Sequence, residues 1–206
     1  KNDKLFGDYT ILAWTTTPWT IPANMALAIG ENIDYVMVEN NWERFVVAKN
    51  RIESVFKGKW DCSVIEEFKG SAIIWVEYEP PFPEYYKNKW DALSPEWIQS
   101  EILKHLTNPK AYFDWLKEWV LRTYNKVYSA DFATDTDGTG IVHIAPEFGD
   151  VDFGLAKKYG IPVTEAMDEA GKYTSEIFDH VGLHYHEANK VNTEIMKERG
   201  VLFKNE

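Results

Sequence analysis

The first half of the chain is cut into short runs of β-branched and apolar residues, each ending at turn chemistry. This limits what the chain can build. Residues 9–15, 24–29, 34–39, 44–48, 62–67 and 71–78 each read as a strand of four to eight residues. Between them lie Thr17-Pro18, Gly30-Glu31-Asn32 and Asn40-Asn41, residues that favour reversals. Residues 50–57 suit one short helix, and Pro80-Pro81-Phe82-Pro83 ends regular structure. Strands this short, separated by turns, favour an antiparallel sheet that folds back on itself.

After residue 90 the periodicity changes from two to about 3.6. Ser94-Pro95 starts one helix carrying Trp97, Ile98, Ile102 and Leu106; Asn108-Pro109 starts another carrying Tyr112, Trp115, Leu116 and Trp119. This hairpin lies between strand-rich segments, so residues 84–127 read as a helical insertion into one domain spanning 1–206. Strands resume at 127–133 and 139–144, and helices follow at 151–159 and 186–199, the last stopped by Gly200. The expected fold is α+β, with a mostly antiparallel, barrel-like sheet, peripheral helices and the insertion.

Two segments carry polar groups in unusual density. The first is Trp14-Thr15-Thr16-Thr17-Pro18-Trp19-Thr20, followed by Ile21-Pro22-Ala23-Asn24, with four threonines in six residues. Each hydroxyl both donates and accepts, and the prolines restrict the backbone. Such a run suits sugar hydroxyls, a carbonyl or an attacking water, or it simply caps turn amides. The second runs from Gly138-Thr139-Gly140 through the apolar strand bearing His143 to Asp150 and Asp152 at a helix start. Acids there are favoured by the helix dipole, and one of the pair suffices as a cap. That leaves one acid for a ligand such as an ammonium group.

Cys62 is the lone cysteine, which excludes an internal disulfide and fits a reducing compartment. No serine sits in a nucleophile elbow, and His184 and His186 lack a clear third metal ligand, so neither a covalent nucleophile nor a metal is expected. With 22 basic and 33 acidic residues the net charge is −11. That opposes autonomous nucleic-acid binding, which relies on clustered lysine and arginine. No apolar run approaches the ~20 residues that span a bilayer, and no signal peptide opens the chain, so no membrane partner and a cytoplasmic site are expected.

Taken together, the two polar segments resemble the editing domain of the isoleucyl, valyl and leucyl-tRNA synthetases. The resemblance continues through Phe68-Lys69-Gly70-Ser71, Tyr78-Glu79-Pro80-Pro81-Phe82, 157–163, 168–174, Glu187-Ala188-Asn189-Lys190 and 197–202. His143, where the valyl family typically has lysine and the leucyl family an apolar residue, makes it isoleucyl-like. The resemblance implies a hydrolase that removes valine from mischarged isoleucine tRNA, with valyl-adenylate as a further substrate. It implies Thr15, Thr16 and Thr17 at the ester, ribose or water, and Asp152 on the substrate ammonium. His143 would line the side-chain pocket, with Trp19 and Asn24 shaping the adenosine side. Its partners would be the aminoacyl end of isoleucine tRNA, a valine ester and the rest of a synthetase chain. No cofactor is implied for editing; ATP belongs to the aminoacylation part, whose His-Ile-Gly-His-like and Lys-Met-Ser-Lys-Ser-like signatures are missing here. Two alternatives stay open: a valyl-type domain clearing threonine, and a module that binds the tRNA 3′ end without hydrolysis.

Overall fold

A computed structural model describes residues 8–57, 62–85 and 122–205, with 108, 111, 112, 114, 115 and 118 between them. Among the described residues there are seven strands: β1 (Thr10–Ile11), β2 (Ala26–Ile29), β3 (Asp34–Asn40), β4 (Glu43–Ala48), β5 (Ser63–Lys69), β6 (Lys126–Ser129) and β7 (Ile141–Ile144). The α-helices whose bounds are described are α1 (Ile52–Val55), α2 (Asp150–Tyr159) and α3 (Tyr185–Glu198). Among the described residues no helix is long and apolar enough to cross a membrane.

The strands form two mixed sheets, ordered β1-β4-β3-β5 and β6-β2-β7. Central β3 pairs antiparallel with β4 and β5, and β1 joins β4 in parallel. The β3–β4 reversal uses Asn41 and Trp42, both at positive φ (51° and 69°), the backbone a tight hairpin needs. In the second sheet β2 lies between parallel β6 and antiparallel β7, and all four of its residues are buried. Its unbroken apolar run is the mark of a strand covered on both faces.

The segment after β1 changes sheets. Leu12 donates its amide to Val46 O at 3.1 Å, and two residues later Trp14 donates to Ile141 O at 3.2 Å. Side chains from both sheets then share one core, including Leu27, Ile29, Tyr35, Met37, Val46 and Ile141. Among the described residues the strands form two open sheets and no closed barrel. Residues 71–78 account for part of this. They begin as a 3-10 turn, Gly70–Ala72, and Trp75 takes φ 69°, so the extended strand expected there gives way to a single bridge from Glu77 to Lys126.

Helix α2 covers the smaller sheet with Leu155 and Ala156 against Met25, Ala28, Tyr128 and Ile144. Gly160, at φ 69°, terminates it. Helix α3 packs Ala188 and Met196 against Ile21 and Ala23 of the 3-10 helix Pro18–Ala23. His184 is the residue that caps α3, its Nδ1 accepting the His186 amide at 3.4 Å. Most of 84–127 lies outside the described residues, including Ser94-Pro95, Trp97, Ile98, Ile102, Leu106, Leu116 and Trp119. Within it, Asn108 Oδ1 accepts the Ala111 amide at 3.0 Å, and Tyr112 and Trp115 are exposed.

Candidate active site

The threonine segment leaves its strand at Trp14 and winds into the 3-10 helix Pro18–Ala23, where Pro18 and Pro22 suit the tight backbone. The turn is held from a distance. Asn189 Oδ1 accepts the Trp19 amide at 3.0 Å, and Asn192 Nδ2 donates to Pro18 O at 3.1 Å, both from α3. Tyr173 donates its hydroxyl to Trp19 O. Trp19 packs edge-on against Phe148 at 4.8 Å.

His143 on β7 faces this turn. Its Nε2 is 3.0 Å from Thr20 Oγ1, and its Nδ1 is 2.7 Å from Asn24 Nδ2. Asn24 also donates to Ala26 O at 3.0 Å and accepts from the Tyr78 hydroxyl at 2.5 Å. Burial pushes the His143 pKa down to about 4, only partly offset by a hydrogen bond to the Thr20 backbone, so the ring is neutral near pH 7. The threonines are linked in turn: Thr15 Oγ1 to Thr17 Oγ1 at 3.2 Å, Thr17 Oγ1 to Thr20 Oγ1 at 3.3 Å, and Thr20 Oγ1 to Thr17 O at 2.9 Å.

A cleft of about 1790 Å³ opens beside these groups. Thr15, Thr16, Asn24 and His143 line it, together with Trp14, Tyr78, Asn189 and Lys190. Thr16 is exposed to it and makes no hydrogen bond among the described residues. Gly138 lines it too, at φ 52°, and a Cβ there would lie 2.7 Å from the Trp14 ring. Gly140, at φ 77°, has the Ala48 Cβ where its own would stand, at 2.3 Å. The two glycines of 138–140 thus let β7 close onto β4 and Trp14.

Thr17, Trp19 and Asp152 do not line the cleft. Asp152 Oδ2 accepts the Ala145 amide at 2.8 Å, while neither Asp150 nor Asp152 caps α2, whose N-cap is Gly149. Desolvation raises the Asp152 pKa, and the Ala145 amide opposes that rise. The hydrogen-bonding atoms of His143 and Asn24 are already engaged by protein, so both meet a ligand mainly through shape. Tyr78, Asn189 and Asn192 were not singled out as site residues. Their only signal was membership, for Tyr78 and Asn189, of segments shared with the synthetases. Glu147 is a further case: its carboxylate takes the amides of Ala166 and Met167 at 2.6 and 2.9 Å and anchors that loop. Among the described residues no three histidine, cysteine or carboxylate side chains gather as a metal site would require.

Comparison with known proteins places the chain among the aminoacyl-tRNA ligases by sequence and among editing domains by fold. The isoleucine-tRNA ligase of Clostridium tetani is 37% identical over 196 residues, and that of Clostridium acetobutylicum is 38% identical over 196. Each alignment covers 95% of this chain and 16% of the ligase, so the chain spans about one sixth of these relatives. No protein-family model matches the chain. Among solved structures, GlLeuRS-CP1 superposes with a TM-score of 0.58 over 95% of this chain and 84% of its own, at 13% identity. The P. knowlesi cytosolic leucyl-tRNA synthetase editing domain gives 0.55 over 91% and 81%, at 10% identity. At such identities the likeness is one of fold.

Proposed function

From a chain homologous over 95% of its length to the isoleucine-tRNA ligases, we propose that this domain is an editing hydrolase that cleaves valine from mischarged isoleucine tRNA. The carrying observation is the meeting of the threonine turn and His143 in one cleft, lined by Thr15 and Thr16. A pocket that selects isoleucine gains only about 1–3 kcal/mol from the methylene that valine lacks; the isoleucine–valine pair is the standard illustration of that limit, and a second, hydrolytic site answers it.

Thr15 and Thr16 hold the ester, the terminal ribose hydroxyls and the attacking water, and Thr17, hydrogen-bonded to Thr15, holds that residue in place. His143 and Asn24, locked by their own bonds, form a rigid wall that admits valine and excludes the larger side chain. Trp19 supports that wall from behind the turn. Asp152 binds the α-ammonium through Oδ1, which makes no hydrogen bond among the described residues, while Oδ2 stays on Ala145. Valyl-adenylate fits the same requirements, and the reaction needs no cofactor. The rest of the synthetase, in the cytoplasm, supplies the grip on tRNA that a chain of charge −11 lacks.

The test is hydrolysis of isoleucine tRNA carrying valine or isoleucine by the 206-residue chain. Release of valine with isoleucine spared is expected. Preferential hydrolysis of threonyl-tRNA would favour a valyl-type domain, and binding of the tRNA end without cleavage would reduce the domain to a binding module.

A further inference from the structure

Counting protons gives the threonine turn a direction. Ala26 O can only accept, so the Asn24 atom 3.0 Å away is Nδ2, which leaves Oδ1 for the Tyr78 hydroxyl. The same Nδ2 lies 2.7 Å from His143 Nδ1, which therefore accepts, and the single proton of the neutral ring sits on Nε2. Nε2 donates to Thr20 Oγ1 at 3.0 Å. Thr20 spends its own proton on Thr17 O at 2.9 Å. The Thr17 hydroxyl, 3.3 Å from Thr20 Oγ1, is then left to donate to it, and the Thr15 hydroxyl, 3.2 Å from Thr17 Oγ1, to donate in its turn. Thr15 Oγ1 also accepts the Thr17 amide at 3.1 Å. The hydroxyl protons of Thr15, Thr17 and Thr20 all point inward, and one lone pair of Thr15 remains for the cleft.

We propose that Thr15 Oγ1 is a one-way acceptor that receives an O–H donor, and that Thr20 is the positioning residue that fixes this polarity by taking the His143 proton. The donor is the attacking water or the free hydroxyl of the terminal ribose. An anionic or carbonyl oxygen is unwelcome at Thr15, which has no proton to offer it. Thr16, exposed on the cleft and without a hydrogen-bond partner among the described residues, supplies the hydroxyl that can donate to the ester carbonyl. A water whose O–H is directed to Thr15 keeps a lone pair free for the carbonyl carbon; as it adds, Thr16 holds the oxygen on which charge develops, and when the acyl–ribose bond breaks the water's proton passes to the departing ribose oxygen. This assignment of roles rests on the ester-hydrolase reading, whereas the direction of the hydrogen bonds does not.

Nitrogen-15 NMR of histidine in the 206-residue chain reads that direction without any substrate. His143 is expected as the Nε2-protonated tautomer, its proton slow to exchange. Thr20→Val should speed that exchange and slow deacylation of valyl-tRNA roughly tenfold, whereas Thr20→Ser, which keeps the hydroxyl, should hold both within about twofold. A proton on Nδ1 would reverse the chain and overturn the proposal. So would an Nε2 tautomer combined with a Thr20→Val rate equal to wild type. If the wild-type chain fails to deacylate valyl-tRNA, the ester-hydrolase reading falls while the tautomer still decides the direction. Thr15→Val, assayed on tRNA whose terminal adenosine lacks the vicinal hydroxyl, separates the two donors. A loss that persists identifies water, one that vanishes identifies the ribose, and no loss on either substrate refutes an acceptor role.

Discussion

The Asp152 carboxylate meets the Ala145 amide at 2.8 Å, joining the first turn of α2 to the end of the strand that carries His143. One oxygen of Asp152 thus acts as a strut, and the proposed ammonium contact falls to the other. Asparagine separates the two duties, because its Oδ1 can still accept from Ala145 while the charge is gone. Asp152→Asn should slow deacylation of valyl-tRNA at least tenfold, since a charge-assisted contact is worth roughly 1.5–3 kcal/mol, and should leave the urea midpoint nearly unchanged. Full activity in that variant would reduce Asp152 to its strut. Asp150→Ala, which removes no hydrogen bond seen among the described residues, serves as the control.

Burial of neutral His143 should make stability pH-dependent in a defined direction. Its folded pKa of about 4 lies below the ordinary 6.5, so the unfolded chain binds the extra proton first. The contribution is complete above pH 6.5 and is lost as pH falls toward 4. Between pH 7 and pH 5 the loss from this residue alone is about 2 kcal/mol. The groups bonded to the ring, Thr20 and Asn24, carry no charge that would offset it. Urea titrations of wild type and His143→Gln at the two pH values should differ by that amount in their pH dependence. Parallel curves would refute the buried, uncharged state.

Gly138→Ala should harm folding more than a loop alanine ordinarily does. The added Cβ would lie 2.7 Å from the Trp14 ring on a backbone at φ 52°. Both effects oppose it, and a left-handed backbone alone costs an alanine about 1 kcal/mol or more. Gly182→Ala is the comparison: its φ is 79°, yet nothing lies within 4 Å of the new atom. The expected order of thermal midpoints is wild type, then Gly182→Ala, then Gly138→Ala.

The acidic surface sets the response to salt. Binding of isoleucine tRNA by the isolated chain should be weak and fade further between 50 and 200 mM salt, in proportion to the few phosphates its cations reach. Electrophoretic mobility shifts at the two salt concentrations measure this. Tight binding that resists salt would mean that the chain itself grips tRNA.

Much of the fold could be read from local sequence. β2, β3, β4 and α3 fall within two residues of where turn residues, apolar runs and caps place them, because each is defined by neighbours in the chain. The misreadings lie where distant contacts override local preference. Residues 71–78 look like a strand, but Trp75 turns to positive φ and the segment lies irregularly beside β6, donating its Trp75 amide to Val127 O. The run at 9–15 keeps only Thr10–Ile11 as a strand, since Leu12 and Trp14 bond to different sheets. Within the site, the nearness of His143 to the threonines followed from recognising two motifs together. Asn192 had no such signal. It is fully buried on α3 and reaches Pro18 across 174 residues, a relation no local pattern carries.

That reach has a consequence for a chain made from its N-terminus. The threonine turn leaves the ribosome early, but the amide of Trp19 waits for Asn189, 170 residues later. At 5–20 residues per second the delay is roughly 10–35 s. During it the hydroxyls of the turn lack the helix that fixes their geometry. The cleft at the threonine turn is therefore among the last parts of this domain to mature, and a nascent domain lacking α3 should retain its early strand pairs yet fail to show the proposed editing.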